Sequence, residues 1–290
     1  MKDYVIITDS CCDLSPELAA KADVRIIPMI LTLDGKEYRN YPDEREITSK
    51  EFYDKLRSGL TASTAAINMD IFMNEFEPIL KEGKDILYLA FSSGLSSTCN
   101  TGTIVASELN EKYPENKICC VDTLAASMGE GLLVYLAAMK KADGASIEEV
   151  RDWVEGNKLN LCHWFTVDDL NHLKRGGRVS AATAFVGSVL NIKPVLHVDD
   201  EGHLINVSKV RGRKAAVSSL FEHMKQSAIN PAEQTVFISH GDCIADAEAL
   251  KGMIESEWHP RQIEINAIGP VIGAHSGPGT LALFFLGDKR

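Results

Sequence analysis

Residues 86–98, Ile-Leu-Tyr-Leu-Ala-Phe-Ser-Ser-Gly-Leu-Ser-Ser-Thr, constrain this chain more than any other stretch. Ile86 to Phe91 is an apolar run short enough for a strand buried in a parallel sheet. Ser92, Ser93 and Gly94 interrupt it, and Ser96, Ser97 and Thr98 lead into a helical pattern. A strand that turns through small residues into a helix gathers free backbone N–H groups and hydroxyls around one point. Such a point either holds an anionic head group without a metal or caps the helix and does nothing more.

The surrounding chain alternates strand and helix. Tyr4 to Ile7 reads as a strand, and Ser15-Pro16-Glu17 opens a helix with a cap, a proline at the first position and an acid nearby. Val24 to Leu33 reads as one strand ended by Asp34-Gly35, and Thr48 or Ser49 caps another helix. Thr61 to Ala66 is an uncharged run of small and hydroxyl residues with the composition of a loop. Helices follow at 68–82, 101–112, 125–141 and 147–157, with a strand at 117–121. This order predicts an α/β fold with a mostly parallel, doubly wound N-terminal sheet.

The second half differs in texture. Strands are expected at 163–167, 193–198, 204–207, 235–239, 263–268 and 281–286, the second and third forming a hairpin around Asp199-Asp200-Glu201-Gly202. A small-residue helix is expected at 181–190. The reading is therefore two domains, 1–160 and 161–290, the second a mixed α/β sheet, with a ligand between them.

Composition removes several function classes. With 45% hydrophobic and 24% charged residues, the 290-residue chain can build a full core. Its formal net charge of −11 argues against general affinity for nucleic acid or an anionic membrane. No stretch approaches the roughly 20 apolar residues of a spanning helix, so no integral membrane segment is expected. The first residues lack a signal-peptide core, and a cytoplasmic protein is expected. Seven cysteines and eight histidines are dispersed without metal-ligand or disulfide spacing; neither a metal nor a cofactor is expected.

Three hydroxyl-rich loops, at Thr8/Ser10, Thr61/Ser63/Thr64 and Ser92 to Thr98, would meet at one sheet edge if the sheet is doubly wound. No G-x-S-x-G elbow makes any of these serines a strained nucleophile, and the Walker and dinucleotide glycine patterns are absent. His275, between glycines in an expected loop, either projects into a site or is a hydrogen-bonded structural residue. Arg175, Arg178, Arg211 and Arg213 form two basic loops, either solvated or suited to a phosphate or an acidic partner. An enzyme acting on a small phosphorylated or carboxylated substrate in the interdomain cleft stays open as the alternative, as does a scaffolding module.

Taken in order, the pieces resemble the DegV family nearly end to end. They are Thr8-Asp9-Ser10, Ser92 to Ser96, Asp122-Thr123 with Ser127 and Gly129, Val167 to Leu170, Arg175-Gly176-Gly177-Arg178-Val179-Ser180, Lys193 to Leu196, His240-Gly241-Asp242 and Ile268 to Gly279. The resemblance implies a two-domain protein that binds one long-chain fatty acid and has no catalytic site of its own. Its carboxylate would be held by Ser93, a hydroxyl of the Thr61 to Ser63 loop and His275, with Ser96 beside them. The resemblance further implies presentation of the acid to a separate ATP-binding fatty acid kinase subunit, with the four arginines as candidate contacts for that partner or for a nascent acyl phosphate. Where the family usually carries Thr-Ser-Gln-Pro, this chain has Ala62-Ser63-Thr64-Ala65.

Overall fold

A computed structural model describes residues 2–179 and 191–290. The helix expected at 181–190 lies outside them. In chain order the first half contains β1 (Tyr4–Asp9), α1 (Pro16–Ala22), β2 (Val24–Ile27), β3 (Ile30–Leu33), β4 (Lys36–Arg39), α2 (Ser49–Arg57), β5 (Ala62–Ala65), α3 (Met69–Lys81), β6 (Asp85–Ala90), α4 (Thr98–Lys112), β7 (Ile118–Asp122), α5 (Met128–Ala142) and α6 (Ile147–Asn157). The second half continues with β8 (Leu161–Thr166), α7 (Asn171–Arg175), β9 (Ile192–Val198), β10 (Leu204–Arg211), α8 (Arg213–Ser227), β11 (Thr235–His240), α9 (Ile244–Trp258), β12 (Gln262–Ala267), α10 (Pro270–Ser276) and β13 (Leu281–Leu286).

Three sheets result. The parallel sheet runs β2-β1-β6-β7, with the fully buried β6 as an inner strand. A mixed six-stranded sheet runs β10-β9-β8-β13-β11-β12, and the expected hairpin at 193–207 is its β9–β10 edge. A small antiparallel sheet runs β4-β3-β5.

The predicted strand at 24–33 is two strands in two sheets. Pro28 has no N–H for a ladder, and the Met29 N–H turns to Ser10 Oγ at 3.0 Å. The chain then leaves the parallel sheet, and Ile30 to Leu33 pair with β4 and β5 instead. The loop expected at 61–66 is largely β5, an edge strand whose Ala62 and Thr64 face inward and whose Ser63 and Ala65 face out. His275 lies in a helix rather than a loop. Gly269 is the cap of that helix, Pro270 occupies its first turn, and Gly277, at φ 81°, ends it.

Helix α5 joins the large sheets. Ten of its fifteen residues are buried, and it packs on β1 and β6 of one sheet and β8, β11 and β13 of the other. One hydrophobic cluster therefore runs through both halves, from Leu87 and Leu89 through Leu132 and Leu133 to Phe165 and Phe284. Aligned burial of this kind makes separation of the halves expensive.

Polar staples fix the same seam. Asp13 Oδ1 accepts from the Gly269 N–H at 2.9 Å, and its Oδ2 accepts from Ser127 Oγ at 2.6 Å. Tyr53 donates to the Ile268 carbonyl at 2.9 Å, and Asn266 Nδ2 donates to the Asp13 carbonyl at 2.7 Å. These bonds hold the start of α10, and hence His275, against the first half.

Burial outweighs those two hydrogen bonds and raises the Asp13 carboxyl from 3.8 to about 7. A raised acid contributes stability that is complete below its unfolded value and lost as pH climbs through its folded one. Between pH 3.8 and 7 this residue alone tilts stability downward with pH by about 1.4 kcal/mol per unit. Asp13→Asn should remove that tilt. Urea midpoints of the variant, taken relative to the native chain, should rise steadily from pH 4 to 7; parallel profiles would refute the assignment.

Candidate functional site

Between the two large sheets lies a cavity of about 360 Å³. The first half supplies Cys11, Met29, Phe91 and Leu95 to its wall, and the second half supplies Phe165, Val198, Ala282 and Phe284. Its floor follows from strand geometry. Thr280 leads into β13, where Ala282 and Phe284 continue the same face two residues at a time, and His163 and Phe165 do the same on β8. Val271 and Ile272 of α10 add apolar surface.

One end of the cavity is polar. Thr64 Oγ1 and His275 Nε2 are 2.8 Å apart, brought together because α10 packs against β3 and β5. Gly176 sits directly against the ring; a Cβ there would overlap His275 Nδ1. Burial, reinforced by the Arg178 guanidinium, lowers the His275 pKa to about 4. The imidazole is therefore neutral at physiological pH. With its proton on Nε2 it donates to Thr64 and leaves the threonine hydroxyl proton for an anion.

Arg178 supplies the charge that the imidazole lacks. It lines the cavity and donates from Nε to the Leu95 carbonyl at 3.2 Å and from a terminal nitrogen to the Gly176 carbonyl. It engages no carboxylate among the described residues. Ser96 also lines this cavity, its Oγ 3.0 Å from Thr98 Oγ1. Ser276 adds a buried hydroxyl with no partner among the described residues.

The structure brings together some of the residues expected from sequence and separates others. His275, Ser96 and Arg178 share the cavity, whereas Ser93 does not reach it. The turn after β6 points Ser92 inward, where its hydroxyl donates to the Gly202 carbonyl at 2.9 Å. Ser93 is left exposed, with its N–H on Asp122 Oδ1 at 3.2 Å. Thr61 and Ser63 are also exposed. With Arg175 and His172 they line a second, more polar pocket of about 240 Å³, which shares Thr64, Arg178 and His275 with the cavity. Strand alternation explains the exchange: on β5 the inward hydroxyl is Thr64, one residue beyond Ser63.

Arg211 and Arg213 line neither pocket. Arg211 is exposed at the end of β10. Arg213 is bonded to Asp246 Oδ2 at 2.8 Å and lies 3.6 Å from Asp168, so its charge is already matched. From sequence, Thr64 counts only among its loop's hydroxyls and no site role falls to Ser276 or His163, and all three line the cavity.

Among the described residues no cluster of His, Cys, Asp and Glu could hold a metal ion, and no helix is long and apolar enough to cross a membrane. All seven cysteines are unpaired. The arrangement is an α/β ligand-binding fold whose chamber, lined mainly by apolar side chains and most polar at one end, suits an elongated amphipathic molecule.

The family model described as "Uncharacterised protein, DegV family" matches residues 3–288, and the chain belongs to that family. A DegV domain-containing protein of Clostridium perfringens is 50% identical over 290 residues, covering 100% of this chain and 99% of the relative. Among solved structures, a DegV family protein from Thermus thermophilus, described for its fatty acid binding, superposes with a TM-score of 0.89 at 30% identity, covering 99% of this chain and 100% of the other. A stearic acid-binding protein from Eubacterium ventriosum superposes with a TM-score of 0.83 at 25% identity, covering 97% and 98%.

Proposed function

We propose that this protein binds one long-chain fatty acid, its tail in the cavity between the halves 1–160 and 161–290 and its carboxylate at Thr64, His275, Ser96 and Arg178. The observation that carries this reading is the apolar chamber of about 360 Å³ ending at a neutral imidazole, a hydroxyl and a guanidinium. Its volume falls within the ~300–1,000 Å³ of small-molecule sites. Burying about fifteen methylenes at roughly 0.8 kcal/mol each contributes on the order of 10 kcal/mol before the costs of association. A carboxylate buried without donors would offset much of that gain. Charge-assisted hydrogen bonds at the polar end remove the penalty. The solved relatives described as binding fatty acids and stearic acid support the same ligand class.

The protein then acts as a carrier that presents the acid to a separate ATP-binding kinase subunit, which forms the acyl phosphate. The polar pocket at Thr61, Ser63, Arg175 and Arg178 supports that role, because it opens beside the carboxylate end and is lined by cations and hydroxyls. Two experiments test the two parts. Lipid extracted from the purified, denatured chain should contain about one equivalent of a long-chain acid by mass spectrometry; a lipid-free chain that takes up none refutes the binding. Acyl phosphate should form from the loaded chain and ATP only when a kinase subunit is added. Turnover by the isolated chain would instead favour an enzyme.

A further inference from the structure

Building on the fatty-acid reading, we infer that the cavity contains a second polar subsite at His163, and that it selects acyl chains carrying a hydroxyl or keto group well down the tail. His163 is 1% exposed, lines the cavity, and has no hydrogen-bond partner on either ring nitrogen among the described residues. A buried polar group without a partner is rare in a native fold and calls for one. The Leu161 backbone approaches the ring without completing a hydrogen bond. The Gly129 backbone lies so close to Nε2 that a Cβ there would overlap it, and the Phe284 ring meets the imidazole edge-on at 5.5 Å.

Its position in the sheet puts it far from the carboxylate. Phe284 pairs with His163, while Thr280 stands beside Ser276 and the α10 end of the cavity. The four residue steps from Thr280 to Phe284 span about 13 Å of extended strand. A ligand whose acid group lies at Thr64 and His275 therefore passes His163 with its hydrocarbon, not its head.

The chemistry of that imidazole narrows the substituent. Burial and the nearby Arg290 charge keep it neutral, so it offers one N–H donor and one acceptor. With Nε2 covered by Gly129, the ligand meets Nδ1: a hydroxyl can donate to it or accept from it according to tautomer, and a keto oxygen can accept from it when protonated, whereas a plain methylene does neither. A second carboxylate would meet only one donor. The expected ligand class is thus a hydroxy or oxo fatty acid with its oxygen beyond the first part of the chain.

The test is titration calorimetry of delipidated protein with stearate, a mid-chain hydroxystearate and a stearate hydroxylated next to the carboxyl group. The native chain should bind the mid-chain hydroxystearate about fivefold or more tightly than stearate, with no such gain for the third acid. His163→Leu should abolish or reverse the preference while still binding stearate, and His163→Gln, which keeps a donor and an acceptor, should retain part of it. The ratio of affinities is the readout, because a general loss of packing weakens all three acids together. Equal or weaker binding of the mid-chain hydroxystearate by the native chain overturns the subsite, water being the partner of His163, and leaves fatty-acid binding intact. Failure of all three acids to bind overturns both.

Discussion

His275→Ala weakens binding of stearate by roughly 30–100-fold, the equivalent of about 2–3 kcal/mol for a hydrogen-bonding group serving a buried charge. The expectation follows from the ring's position: its Nε2 lies 2.8 Å from Thr64 Oγ1 in the wall of the cavity. Without the imidazole, the threonine hydroxyl loses the partner that orients it. Thr64→Val removes only the hydroxyl at nearly constant shape and should cost about tenfold. Because the two side chains bond each other, the double variant should lose less than the sum of the single effects. Calorimetric titration of the four proteins measures this directly. A His275→Ala chain within threefold of native affinity would place the carboxylate elsewhere. The ring's value of about 4 adds a second condition, since the imidazole works as a neutral dipole and Arg178 carries the counter-charge.

Ala282→Phe closes the chamber from its floor. Ala282 lies between Thr280 and Phe284 on the cavity face of β13, opposite Phe165. A phenyl ring there occupies space that the tail requires. Displacing about four methylenes at ~0.8 kcal/mol each costs about 3 kcal/mol, roughly 200-fold in Kd. The loss should grow with chain length and be slight for acids too short to reach the ring. The fold should persist, because the added volume enters a cavity rather than a filled core, where overpacking costs about 1–3 kcal/mol. Affinity against chain length, with a melting curve for each protein, separates the two cases. A uniform loss at every length would mean distortion rather than blockage.

The sequence disclosed the architecture where a local pattern carries it. The apolar run at Ile86 to Ala90 is buried throughout and forms an inner parallel strand. The hairpin around Asp199 to Gly202 and the buried helix α5 are equally legible, since turn chemistry and unbroken hydrophobicity are local properties. What stayed hidden depends on pairing. Thr64 is one hydroxyl among several until β5 is laid against β3, with Leu31 opposite Thr64; only then does alternation separate it from Ser63. Ser92, Ser93 and Ser96 look interchangeable along the chain, yet one bonds a hairpin carbonyl, one faces solvent and one lines the cavity. His163 gives no signal at all, because a single histidine in a strand has no periodicity. Its meaning comes from β13 lying beside β8 and from Gly129 closing over it. The glycines around His275 suggested a loop, whereas Gly269 and Gly277 are the two ends of a helix.

The most direct measurement is a crystal structure of the chain loaded with a long-chain acid brominated at its terminal carbon, located by anomalous scattering. The account predicts one bromine peak inside the cavity toward the Phe284 end, with the carboxylate density between Thr64, His275 and Arg178. A bromine peak at the protein surface, or a loaded crystal with the cavity empty, would contradict it.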